Sequence, residues 1–598
     1  VKSLMSLVQD VLTSVGTWCR VSTTQDSKTI LRRVEAEGLS FLTITLPSFG
    51  SDLQKGLESG KVDSQLFQGF DHGRGCLPLF LGGFIGLIFD RSTGLLLDNP
   101  SVDAIFAVRQ VTLMCSKVAM TCTPKRVKSA IDQYIECEKE VKSCDRLLSS
   151  SSKKDFARVS QLLWADVLSH VDRTVYDGSI IPRHGPGATA DGLKGNLKFT
   201  QATWPRRLEE YFPSGEFLFP NWRYYDADRV HILEPGTEIP VKVITVPKTL
   251  RTPRIIAIEP TAMQYVQQGI MEVLVDAISS DDNLGSIVGF DDQGPNQSMA
   301  CKGSSNGSLA TLDLSEASDR VSNQLVRILL KNHPHLARGV DGCRSRKADV
   351  PGYGVQRLAK FASMGSALTF PIEAMIFTII IFMGIENGLS RPLTKKDIKS
   401  FIGKVRVYGD DIIVPVEFTH HVVEMLETFG FRVNLSKSFW TGKFRESCGK
   451  EYYDGEDVSI VRVRQDLPTQ RGDVLEIIST VSLRNQMYHR GLWDVAAVLD
   501  QWLGRIIPFP TVLPESPVLG RNSYLGYAQE RLHPHLHSPL VKGYVVRSII
   551  PIRKCENGDA LLKFFLKRGD LPFADRESYE RSGRPSAVDI KLRWASSV

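Results

Sequence analysis

The stretch Lys404–Val416, KVRVYGDDIIVPV, constrains the fold more than any other part of the chain. Val405 and Val407 lie before Gly409-Asp410-Asp411, and Ile412, Ile413 and Val414 follow it. Two short β-branched apolar runs around a Gly-Asp-Asp step predict a tight antiparallel hairpin. Such an element holds two adjacent carboxylates at the tip of a buried, rigid ribbon. There they repel each other and resist desolvation unless a cation lies beside them. Mg²⁺ suits the place, because it takes hard oxygen ligands, typically one or two carboxylates together with substrate phosphates. The chain has two further Asp pairs for comparison. Asp281-Asp282 sits in the polar stretch SSDDN, and Asp291-Asp292 has apolar residues on one side only.

A second carboxylate segment completes the pattern. In SLATLDLSEASDRVS, Ser308–Ser322, the run Leu309–Leu314 reads as a strand with Asp313 near its end, and Asp319 follows beyond Ser315 and Ser318. If this strand lies beside the hairpin, Asp313 joins Asp410 and Asp411 in a three-carboxylate cage. Two metal ions about 3.5–4 Å apart could then stabilise the attacking and leaving oxygens of an in-line phosphoryl displacement. The chemistry would be positioning and charge neutralisation, with no protein nucleophile.

These blocks carry a resemblance. DLSEASD, then SMGSALTFPIE (Ser363–Glu373), then YGDD, in that order, resemble motifs A, B and C of the palm of a template-dependent RNA polymerase. VPKTLRTPRIIAIEP (Val246–Pro260) and FRESCGKEYYDG (Phe444–Gly455) narrow it to the replicase catalytic subunit of single-stranded RNA bacteriophages of the levivirus (Qβ-like) type. The resemblance runs from about Pro182 to about Tyr453. It implies an α+β right-hand polymerase, with an antiparallel palm sheet backed by helices between fingers and thumb. It implies RNA-directed RNA synthesis from NTPs onto a 3′-OH, with two Mg²⁺ ions (Mn²⁺ or Ca²⁺ able to substitute) on Asp313, Asp410 and Asp411.

Further roles are implied by the same resemblance. Lys248, Arg251 and Arg254 recur every three residues in a Pro-punctuated segment. They correspond to the cationic motif F that holds the triphosphate, where Arg makes bidentate contacts and Lys acts as a point charge. A solvated basic loop is the alternative. Lys437, after FRVNLS, matches the motif D lysine that protonates pyrophosphate; a surface lysine at a strand end is the alternative. Ser318, Asp319, Ser363, Gly365 and Thr369 would line the incoming nucleotide. Glu373 stands four residues after Thr369, where many RNA polymerases carry Asn, so Asp319 with Ser318 or Ser363 must read the ribose. Arg445–Tyr453 resembles the motif E hairpin, with Cys448 a small packing residue rather than a nucleophile. The partners implied are RNA template and product, NTPs, host elongation factors Tu and Ts, and a host ribosomal RNA-binding protein, with no membrane. The implied location is the cytoplasm of the infected bacterial host.

The residues before Phe370–Ile385 supply local detail. Gly365 permits a close backbone approach. Pro371 suits a first helical turn, with Thr369 or Ser366 as cap. The apolar run reads as a core helix, too short and too interrupted by Glu373 and Gly384 for a membrane span, which needs about 20 apolar residues. HGPGATADG (His184–Gly192) lacks the GK[ST] ending of a P-loop and resembles a fingers loop. Cys115/Cys122 and Cys137/Cys144 are spaced too widely for common zinc sites. His533, His535 and His537 read as a loop. Trp493 and Trp502 read as core.

Composition fits a multi-subdomain globular chain. Of 598 residues, 42% are hydrophobic and 23% charged, and 73 basic against 67 acidic residues leave a net +6. That balance requires any nucleic-acid path to be a local channel. Ten cysteines without a paired framework, and no signal peptide pattern, point to a reducing cytoplasm. The sequence begins at Val1, which leaves the native start open. The expected division is 1–240 as N-terminal extension and fingers, 241–300 as the cationic return to the palm, 301–465 as palm, and 466–598 as thumb and basic tail. Asp473–Arg505 reads as helical. The rival readings are a reverse transcriptase-like polymerase, disfavoured by Asp319, and a non-catalytic RNA-binding protein, which would not need the three carboxylates.

Overall fold

The hairpin expected from the sequence forms one side of a four-stranded antiparallel sheet. In spatial order the strands are Arg432–Val433, Leu309–Ser315, Asp411–Pro415 and Arg406–Tyr408. Gly409 and Asp410 make the two-residue loop, with Gly409 at φ +61°, and a Cβ there would come within 2.5 Å of the Phe370 ring. Glycine at the first loop position matches the strand twist in such hairpins. The structure is a computed structural model and describes residues 2–73, 75–549, 556–566 and 587–598. Of the expected C-terminal tail, residues 550–555 and 567–586 lie outside the described residues.

The sheet is backed by two helices, Thr369–Leu389 and Thr419–Thr428. Ala310, Leu312 and Leu314 from one strand and Ile412 and Val414 from its neighbour share a core with Ile376, Ile379, Ile380, Val422 and Leu426. Along the edge of Leu309–Ser315 that also pairs with Arg432–Val433, Thr311 exchanges backbone hydrogen bonds with Phe439 at 3.0 and 2.8 Å. That contact leads to a hairpin of Phe444–Ser447 and Lys450–Tyr453, whose turn places Cys448 at φ +48° and Gly449 at φ +75°. The architecture is thus α+β, as expected.

A second four-stranded sheet carries the cationic segment. Its order is Arg254–Ile258, Val241–Val246, Lys347–Val350, Gly354–Arg357. The helix Pro124–Leu147 covers it through Ile131 and Tyr134, which pack with Val241, Val243 and Ala257. A separate core gathers the N-terminal helices, such as Leu7, Val11, Phe49 and Val108, with Phe444, Tyr453, Met487 and Val495. The first 118 residues therefore pack on the Phe444–Tyr453 hairpin and on the helices that follow it.

Four expectations are corrected. The helix Thr369–Leu389 has 21 residues and is long and apolar enough, by length and composition, to cross a membrane. Its burial within the protein, with Ile372 through Phe382 almost wholly enclosed, is what marks it as a core helix. Neither Thr369 nor Ser366 caps it: the cap position is Leu368, and the Thr369 hydroxyl turns back to donate to Ser363 O at 3.0 Å. The helical stretch Asp473–Arg505 is two helices, Val474–His489 and Trp493–Gly504, broken at Gly491, φ +83°. Trp493 begins the second of these and is 61% exposed, whereas Trp502 packs against the second core and donates Nε1 to Pro468 O at 2.7 Å.

Candidate active site

Strand register decides which carboxylates meet. Asp313 pairs directly across from Asp411, and Tyr408, on the other arm of the hairpin, also pairs with Asp411. Side chains of directly opposed residues project from the same face of a sheet. Asp410 occupies the turn beside them and is exposed. The three carboxylates therefore cluster at one end of the sheet. Burial pushes the Asp411 carboxyl up to about 6, helped by the charges of Asp410 and Asp313, although a hydrogen bond from the Cys448 backbone works against it. Asp313 is raised as well, first by burial and then by Asp410, with Lys437 and Asn434 opposing.

Asp313 is held by its surroundings. Its N–H donates to Ser438 Oγ at 3.0 Å, Asn434 Nδ2 donates to its Oδ2 at 2.9 Å, and Lys437 Nζ lies 3.3 and 3.5 Å from its two oxygens. Lys437 thus rests on the carboxylate cluster. Burial alone would lower its pKa, but Asp313, Glu446 and Asp410 outweigh this and raise it.

The cationic residues separate. Lys248 and Arg254 stand on the two sides of the turn that joins their strands, with Arg254 paired to Val246. Burial depresses the Lys248 ammonium, and Arg254 and Lys437 depress it further, while Asp410 and Asp313 oppose them. Lys248 therefore faces both the cations and the carboxylates of the site. The turn is tethered to the Pro124–Leu147 helix and the loop before it, through Arg126 Nη1 to Leu250 O at 2.7 Å and Cys122 Sγ to Thr249 O at 3.0 Å. Arg251 is exposed in that turn.

A second cluster adjoins the carboxylates. Asp319 and Ser318 lie in the short turn Ala317–Arg320, half-buried. Ser363 is 5% exposed in the loop before the core helix. Gly365 in that loop has φ +139°, and a Cβ on it would lie 1.9 Å from Ala257 O. The Ala257 N–H donates to the neighbouring Met364 O at 2.9 Å. The loop is therefore stitched to the strand that carries Arg254, the close approach expected of Gly365. Glu373 is buried against this cluster, and its Oε2 has no hydrogen-bond partner among the described residues. Burial, then Asp410 and Asp319, raise its pKa well above the usual range, which favours its neutral form.

Two residues went unnoticed in the sequence. Glu446, on the hairpin strand Phe444–Ser447, is pushed up to about 7 by burial and by Asp411 and Glu451. Lys360 ion-pairs with Asp319 at 2.9 Å. The first could have been found from its place beside the motif that holds Cys448; the second carries no local signature, since its partner is 41 positions away. The Cys448 thiol is pushed up to about 12 by burial and Asp411, so it stays protonated and is a poor nucleophile. His184 stacks on Tyr265 at 4.2 Å, and burial with Lys198 drops its pKa to about 3, which leaves the ring neutral.

The donor set at the sheet end is all hard oxygen, three carboxylates of which Asp313 meets the Lys437 ammonium, and it suits a divalent cation. Among the described residues, no three His, Cys, Asp or Glu side chains converge to ligating distance.

Residues 237–509 match the family model "RNA replicase, beta-chain". This match begins later and ends later than the motif resemblance. The chain is 36% identical over 257 residues to the RNA-directed RNA polymerase subunit beta of Qbeta virus (strain MX1), covering 42% of this chain and 40% of that one. It is 39% identical over 219 residues to the RNA-directed RNA polymerase beta chain of Escherichia phage MS2, covering 36% of each. With the corresponding chain of Enterobacteria phage fr it is 37% identical over 275 residues, covering 44% of this chain and 45% of that one. The chain thus spans less than half the length of these relatives. Among solved structures, the RNA-dependent RNA polymerase of BmCPV at elongation state aligns with TM-score 0.36 and 11% identity, over 60% of this chain and 34% of that one. The RNA-dependent RNA polymerase of a human picorbirnavirus aligns with TM-score 0.33 and 14% identity, over 45% and 57%. The segment 237–509 that matches the RNA replicase beta-chain family contains every residue of the carboxylate cluster.

Proposed function

We propose that the chain is an RNA-directed RNA polymerase that copies a single-stranded RNA phage genome. The observation that carries this is the register that sets Asp313 opposite Asp411 with Asp410 in the adjoining turn, inside a replicase-family segment. Asp313, Asp410 and Asp411 would hold divalent cations, two Mg²⁺ ions in the fullest form, with Mn²⁺ or Ca²⁺ able to substitute. When bound, the ions would neutralise charge on the attacking 3′-OH and on the phosphates.

The protein's own groups do the rest. Lys248 and Arg254, with Arg251 arriving from the tip of the turn, grip the triphosphate. Lys248, which interacts with Asp410 and Asp313, would help to align the α-phosphate with the end of the growing strand. Asp319 and Ser363, helped by Ser318, accept and donate to the ribose hydroxyls, while the Gly365 loop and Thr369 shape the nucleotide seat. Lys437, next to Asp313, would pass the proton on its Nζ to the leaving pyrophosphate. In this reading 301–465 is the palm, 1–240 supplies fingers and an N-terminal extension, 241–300 returns from fingers to palm, and 466–598 is the thumb. The chain acts in infected bacteria, in the cytoplasm, on RNA and NTPs. Host elongation factors Tu and Ts and a ribosomal RNA-binding protein complete the enzyme.

Primed extension of a short RNA template in Mg²⁺, comparing the intact chain with Asp410→Asn, tests this. The expected result is a loss of at least about 10³-fold in the variant. Equal extension by both would remove the assignment. Run with and without factors Tu and Ts, the same assay decides the host partners: full activity without them means that they are dispensable.

A further inference from the structure

The ribose-reading pair proposed above is held by two side chains with no place in that reading. Lys360 is fully buried, an expensive site for an ammonium group unless it is paired. Its Nζ donates to Asp319 Oδ1 at 2.9 Å and lies 3.4 Å from the centroid of the Tyr134 ring. The Tyr134 hydroxyl and Ser363 Oγ hydrogen-bond to each other at 3.0 Å. One chain of contacts therefore runs from Asp319 through Lys360 and Tyr134 to Ser363.

Lys360 and Asp319 are fixed in turn. Arg344 donates to the carbonyls of Leu358, Lys360 and Phe361, and the Glu138 carboxylate accepts the Ala359 N–H, so the backbone that bears Lys360 cannot drift. Cys137 Sγ donates to Asp319 O at 3.5 Å, one turn of helix from Tyr134. Burial by itself would lower the Lys360 pKa, but Asp319, Tyr134, Glu138 and Cys137 outweigh burial and raise it. Asp319 keeps its second carboxylate oxygen for a ligand, and the Ser363 hydroxyl can be acceptor or donor to one.

We infer that Lys360 and Tyr134 are positioning residues for ribose recognition: they set the orientation of Asp319 and Ser363 so that a ribonucleotide is preferred over its 2′-deoxy counterpart. This rests on the polymerase reading of the site. The effect is on discrimination, because neither side chain meets the triphosphate-binding cations or the three carboxylates. A buried polar pair built to meet a hydroxyl penalises the analogue that lacks it.

The test is equilibrium binding of ATP and of 2′-deoxy-ATP to the full chain on a template–primer that ends in a 3′-deoxynucleotide, so that no bond forms. Tyr134→Phe removes one oxygen and keeps the ring under Lys360. It is expected to lower the preference for ATP about 3- to 10-fold, through weaker ATP binding with 2′-deoxy-ATP unchanged. Lys360→Met is expected to lower it further, about 10-fold or more. Loss of affinity for both nucleotides by the same factor would mean a structural role and overturn the inference. So would an unchanged preference in Tyr134→Phe, which decides the matter alone if Lys360→Met does not fold, and so would an intact chain that binds the two nucleotides equally. Survival of extension in Asp410→Asn would instead remove the polymerase reading, so the two failures are distinct.

Discussion

At Gly365 the main chain passes so close to the strand Arg254–Ile258 that a methyl group has no room, since a Cβ would sit 1.9 Å from Ala257 O. The obstacle is backbone already paired to Met364, so it cannot yield as a flexible side chain would. The φ of +139° adds strain for any residue with a Cβ. Gly365→Ala should therefore destabilise the chain by about 3 kcal/mol or displace the loop that carries Ser363. Denaturant unfolding reads the first, and a weakened nucleotide affinity at near-normal stability reads the second. Glycine was readable at this position as a sign of close approach; the partner that approaches was not, because Ala257 belongs to a different sheet.

Among the elements, the helix Thr369–Leu389 is enclosed on all sides, with Ile376, Phe377, Ile379, Ile380 and Phe382 at 0% exposure. It has no polar stripe to tolerate a gap. Ile380→Ala should cost about 2–5 kcal/mol, measured as a shift of the denaturation midpoint at unchanged slope. The hairpin Arg406–Pro415 and the strand Leu309–Ser315 were legible because short continuous apolar runs mark buried strands, and a Gly-Asp step marks the turn of the hairpin. Their mutual register was legible only as a requirement of the chemistry. The cap of the core helix was misread because Thr369 spends its hydroxyl on Ser363 O, a contact that local spacing does not reveal. Trp493 was misread for a related reason: its helix buries Val495, Ala496 and Leu499 and turns Trp493 outward, and which stripe of a helix is covered depends on what packs there.

For the whole molecule, the N-terminal helices and the site are joined by a buried ionic cluster. Arg109 Nη2 and Arg462 Nη2 lie 2.7 and 2.8 Å from Glu451 Oε1, and the Arg109 guanidinium sits 4.5 Å from the centroid of the Phe444 ring. Burial would raise the Glu451 carboxyl above its ordinary 4.5, but the two guanidinium groups outweigh burial and hold it at about 2. Between these values the unfolded chain takes up a proton that the folded chain refuses. The contribution is thus complete above pH 4.5 and is lost as pH falls toward 2. Glu451→Gln should flatten that acid limb in denaturation curves taken across pH. It should also cost about 3–5 kcal/mol at neutral pH, because it strands two buried cations. The helix Pro124–Leu147 is a second joint of this kind, and it lies wholly outside the family segment that begins at 237. A fragment trimmed to 237–509 would keep Lys360 on Asp319 yet lose the Tyr134 ring beside the ammonium and the hydroxyl on Ser363. The matched portion of the chain is therefore not a self-sufficient unit: if the inferred role of Tyr134 holds, a helix outside the matched segment acts as the gauge by which one sugar is told from another.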